Sequence, residues 1–93
     1  MNPADITTFN NLGVAYAGMN QDNLAESCLR QAILLDPKIA QPYFHLAELR
    51  VKQGLLMEAM KYIDKAMQLA PQWGEVNDLR DQVQKLLSEK STS

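Results

Sequence analysis

From Ile6 the larger apolar residues fall at Phe9, Leu12 and Tyr16, in steps of three and four, with Gly13 and Ala15 between them. Such spacing gathers them on one side of a helix, which is expected to end near Gly18. Asn2 as N-cap, Pro3 at the first helical position and Asp5 near the positive end offer its start. Met19-Asn20-Gln21-Asp22 reads as a turn in which Asn20 or Asp22 caps a second helix. That helix buries Ala25, Leu29, Ala32, Ile33 and Leu35, and Asp36-Pro37 closes it. In a third helix Pro42 is tolerable only within the first turn; Tyr43, Leu46, Ala47 and Leu49 form the apolar side, and Gly54 is the stop. Leu56, Ala59, Met60, Ile63, Ala66, Met67 and Leu69 carry a fourth helix to Pro71. Val76, Leu79, Val83, Leu86 and Leu87 make one stripe of a fifth, expected from about Trp73 to Glu89, before a polar tail, Ser91-Thr92-Ser93.

The pattern repeats. Ala25 to Pro37 returns 34 residues later as Ala59 to Pro71, with Leu29 matched by Ile63, Ala32 by Ala66 and Leu35 by Leu69. Small residues that admit a neighbouring helix, large ones that fill the gap beside it and a proline that ends the helix recur at matched places. The expectation is an all-α solenoid of two antiparallel helical hairpins plus a fifth, capping helix. Trp73, which stands where Ile39 stood, is expected to pack in the core.

Composition narrows the function. The 93 residues carry a net charge of −2, with Lys and Arg scattered among Asp and Glu, so no basic stripe collects nucleic-acid phosphates. No apolar run approaches the roughly 18 residues needed to cross a bilayer, and the first residues lack a signal peptide's basic and apolar regions; a cytoplasmic chain is expected. The single cysteine, Cys28, reads as a packed or half-exposed residue. With one histidine, no phosphate loop and no Cys or His cluster at metal-ligand spacing, neither catalysis nor a cofactor is expected. The only suggestive pair is His45 and Glu48, at i and i+3 on one helical face.

Phe9, Leu12, Gly13, Tyr16, Ala25, Leu29, Ala32 and Pro37, with Tyr43, Leu46, Ala47, Ala59, Ile63, Ala66 and Pro71 in the second unit, resemble the signature of the tetratricopeptide repeat family. One departure is plain: Arg50 stands where the pattern wants a tyrosine. The resemblance implies a right-handed solenoid forming one domain over 1–93, with repeats at about 6–39 and 40–73 and a capping helix at about 74–89. It also implies a concave groove that holds a peptide or helix segment of another protein. By the family's geometry the first helix presents Asn10, Asn11, Val14 and Ala17 to that groove. The third presents Gln41, Phe44, His45, Glu48 and Lys52, and the fifth Glu75, Asp78, Leu79 and Gln82.

Aligned Asn11 and His45, 34 residues apart, can hydrogen-bond an extended main chain, while Val14 and Phe44 offer apolar contact. The alternatives are that Phe44 packs against the fifth helix and that the Asn pair is solvated. Family members that clamp acidic chaperone tails need Lys, Asn, Asn, Lys and Arg where this chain has Asn10, Val14, His45, Glu75 and Leu79. Sliding the last helix by one substitutes Gly74 and Asp78, which supply no cation either. The expectation is a non-catalytic interaction module that is not a carboxylate clamp. The alternative is a self-associating chain or a scaffold piece of a longer solenoid, with exposed Phe or Leu surface as the interface.

Overall fold

The structure, a computed structural model, describes residues 5–91, so the helix start expected at Asn2 and Pro3 and the tail at Thr92-Ser93 lie outside the described residues. Five helices follow one another: α1 (Ile6–Gly18), α2 (Asp22–Leu35), α3 (Ala40–Lys52), α4 (Leu56–Leu69) and α5 (Gly74–Ser91). Each packs antiparallel-hairpin fashion on the next, and α1 also touches α3 and α3 touches α5. The odd helices thus line one side of a stack that measures 50 × 28 × 18 Å.

Local chemistry sets the element ends. Asp5 is itself the N-cap of α1, its carboxylate accepting from the Thr7 N–H at 3.1 Å. Asn20 caps no helix start. It adopts φ +61°, and the Gln21 N–H reaches back to the Tyr16 carbonyl at 2.8 Å, so it closes α1 from its C-terminal side. Gly54, 34 residues on, repeats the device after α3 with φ +77° and a Leu55 to Arg50 bond of 2.8 Å. Asp22 does not cap α2 either; Gln21 is the N-cap without a side-chain bond, and the Asp22 carboxylate pairs with Lys52 instead. Pro37 and Pro71 act through the residue before them: Asp36 and Ala70 leave helical geometry, at φ −155° and −144°, because a following proline crowds the helical conformation.

The core forms two clusters. Leu46 and Leu49 of α3 meet Ala25 and Leu29 of α2; Tyr43, Phe44 and Ala47 meet Ala59, Ile63 and Ala66 of α4 and Val76, Leu79 and Val83 of α5. Ile33 and Tyr62 pack against both and join them. Ala25, Ala32, Ala59 and Ala66 are fully buried, in keeping with helices in close approach. Gly13 is tighter still: a Cβ there would lie 2.6 Å from Leu29 Cγ, and Leu29 is itself buried. Trp73 is half-buried against this core, its ring centroid 4.7 Å from that of Phe44.

Leu35 is not on the buried side of α2. It is 40% exposed, whereas Leu69 at the matching place packs against the larger cluster that α5 completes. The repeats are therefore alike in backbone and unlike in what covers them.

Candidate functional site

The side lined by α1 and α3 carries a recess of about 260 Å³, with Val14 and Ala17 from α1 facing His45, Glu48 and Lys52 from α3. Five of the residues expected in the groove thus meet in one place. Gly13, Gly18, Leu29 and Leu49 complete the lining, and sequence reasoning did not name them for this role. The two glycines lack side chains to fill the space, and the two leucines form its floor. Asn10 and Gln41 lie elsewhere, in a smaller recess of about 180 Å³ beside Ile6, Thr7 and Ile39. Asn11 is exposed on α1 outside both of these recesses. Asn10 Oδ1 is buried with no hydrogen-bond partner.

Two expected groove residues are core residues instead. Phe44 is 5% exposed and packed at a tilt against Trp73 in the cluster that α5 closes, so its ring offers almost no free surface. Leu79 is buried in the same cluster, because the fifth helix turns its apolar stripe inward. Glu75, Asp78 and Gln82 remain exposed on α5.

The recess has a defined electrostatic bias. Lys52 Nζ donates to the Ala17 carbonyl and to Asp22 Oδ1, both at 3.1 Å, so the lysine in the recess is already committed to the end of α1 and the start of α2. His45 Nδ1 and Glu48 Oε1 are 2.9 Å apart, and the Glu48 side chain is half-exposed. Among the described residues no three His, Cys, Asp or Glu side chains gather closely enough to hold a metal ion. Burial pushes the Cys28 thiol up, which disfavours the thiolate a nucleophile needs. None of the described helices is long and apolar enough to cross a membrane.

Arg50, the departure from the repeat pattern, is buried at 8% exposure. A buried cation requires a counter-charge, and Glu26 Oε1 of α2 stands 2.7 Å from its Nη2. Arg30 binds the same carboxylate at 2.8 Å. The Arg30 hydrogen bond, and then Arg50, hold the Glu26 carboxyl below the usual glutamate range against an opposing effect of burial.

Stacked helical hairpins at a 34-residue pitch define a helical-repeat solenoid. Residues 6–39 and 40–72 each match the tetratricopeptide repeat, and the chain belongs to that family, whose members generally mediate protein–protein interaction. No individual curated protein matches the chain.

Proposed function

We propose that this protein is a non-catalytic module whose α1/α3 groove holds an apolar segment, neutral or basic, of another protein. The observation that carries this reading is the state of Lys52. Because its ammonium is spent on Asp22 and the Ala17 carbonyl, a ligand carboxylate entering the recess meets Glu48 without a free cation to offset it. Val14, 42% exposed, gives an apolar side chain something to bury against, and Glu48 gives a lysine or arginine a partner.

Titration calorimetry with an apolar peptide carrying Lys or Arg, beside an acidic peptide of equal length, tests this directly. The basic peptide is expected to bind more tightly, and Glu48→Gln and Val14→Asp are each expected to weaken it. An acidic peptide that binds tightly and shifts the amide resonances of Val14, Ala17 and His45 would overturn the reading.

A second reading, self-association or continuation of a longer solenoid, draws on the open end of the first repeat. Leu12 is 40% exposed where its counterpart Leu46, covered by α2, is 0% exposed. Leu24 is also exposed on α2. Light scattering over a concentration series separates the readings: growth in mass that Leu12→Asp abolishes favours self-association, and a constant monomer mass removes it.

A further inference from the structure

The outer face of the stack reverses the sign of the groove. Arg30 of α2, Arg50 of α3 and Lys61 and Lys65 of α4 converge on a recess of about 400 Å³, walled by the rings of Tyr43 and Tyr62 and carrying one carboxylate, Glu58, in its lining. The chain as a whole has a net charge of −2, so this concentration of cations is local.

The acids around the recess do not neutralise it. Glu26 is shared between Arg30 and Arg50, at 2.8 and 2.7 Å. Asp36, beside Tyr43, accepts the Lys38 N–H at 2.9 Å and so helps hold the turn after α2. Glu58 Oε2 pairs with Arg50 Nε at 3.2 Å, so Glu26 and Glu58 between them answer the two arginines and leave the two lysines. No carboxylate of the described residues lies within ion-pairing distance of Lys61 or Lys65, which are exposed. The Lys65 ammonium instead stands 6.0 Å from the centre of the Tyr43 ring.

We propose that this recess is a second docking site, which takes an acidic, Asp- or Glu-rich segment of a partner protein. The two lysines at the rim attract the segment, and the tyrosine rings flank it. Behind them the Arg30 and Arg50 guanidiniums, whose own hydrogen bonds go to Glu26, Tyr62 and Gln53, add to the positive field that holds a carboxylate at the rim. The groove disfavours anions and the outer recess favours them, so the two faces sort partner segments by charge. This site stands on different residues from the groove and does not depend on it.

Isotope-labelled protein titrated with an oligoglutamate peptide, and in parallel with oligoglutamine, provides the test. The expected result is oligoglutamate-specific amide shifts around Arg30, Lys61, Tyr62 and Lys65, weakening with added salt. Reversing both rim charges, Lys61→Glu with Lys65→Glu, is expected to cut the affinity about tenfold or more, two surface charges being inverted at once. Because both side chains are exposed, the melting midpoint of that variant is expected to hold. Its affinity for the basic, apolar groove peptide is expected to stay unchanged, which keeps failure here distinct from failure of the groove reading. Equal shifts from oligoglutamine, or an undiminished affinity in the double variant, would overturn the proposal. Inorganic phosphate binding as tightly as the peptide would also overturn it, by showing a small-anion pocket instead of a peptide site.

Discussion

The two hairpins share a backbone plan and differ in fate. Position by position, Leu12 becomes Leu46, Asn10 becomes Phe44 and Tyr16 becomes Arg50. In the second repeat these places are buried, because α2 packs on one side of α3 and α4 with α5 on the other. In the first repeat α1 has α2 and α3 beside it but no helix before it among the described residues, so Leu12 stays open and polar Asn10 is tolerated. The lesson is that a repeat position has no intrinsic burial. Whether it becomes core or surface is set by the neighbour it receives in the stack.

The largest expected effect comes from trading this difference away. Phe44→Ala removes a ring packed against Trp73 and α5 and is expected to cost about 3 to 5 kcal/mol, the range for buried Phe to Ala. Asn10→Ala at the matching place, which is only partly buried and whose Oδ1 has no hydrogen bond to lose, should change stability by about 1 kcal/mol or less. Chemical denaturation of both variants gives the comparison; near-equal losses would mean that the two positions are not differently covered.

A smaller and opposite expectation concerns the places where the repeats agree. Ala32 and Ala66 are both fully buried, and enlarging either to Leu is expected to destabilise by about 1 to 3 kcal/mol, since the close helix contact has no room for added carbons. Thermal melts check this. A midpoint untouched by either change would show that close packing is not what keeps these alanines small.

The smallest effect belongs to the seam between repeats. Glu26 has its pKa depressed in the fold, first by the Arg30 hydrogen bond and then by Arg50, so its contribution to stability is fully present above the unfolded value and disappears as pH falls through the folded one. Acidification below the ordinary glutamate value of about 4.3 should therefore erode stability in the native protein. Glu26→Gln is expected to be less stable at neutral pH and to lose less between neutral and acidic solution. Parallel pH-dependent slopes would assign the acid sensitivity to other carboxylates.

A good share of this was legible in residue spacing. The 3.6-residue periodicity placed all five helices, and the 34-residue recurrence paired them into hairpins with alanines at the contacts. The role of Asn20 was available too, since adding 34 lands on Gly54, but asparagine serves equally well at a helix start and the local sequence alone favours neither. The groove was legible only in outline. Val14, Ala17, His45, Glu48 and Lys52 meet in the inner recess, whereas Phe44 and Leu79 turn into the core.

Sequence by itself determined the elements and their repeat, because these depend on backbone propensity and on apolar spacing within a few turns. Tertiary structure decided which copy of each position is covered, that Lys52 is consumed by Asp22 and the Ala17 carbonyl, and that Glu26 serves both Arg30 and Arg50. Apart from the Glu26–Arg30 pair, which is one helical turn long, these outcomes join groups 24 to 35 residues apart through long, flexible stems that could reach several partners. Only the packed geometry of neighbouring helices fixes that choice, because charge and reach alone allow many pairings and the fold brings only a few within hydrogen-bonding distance.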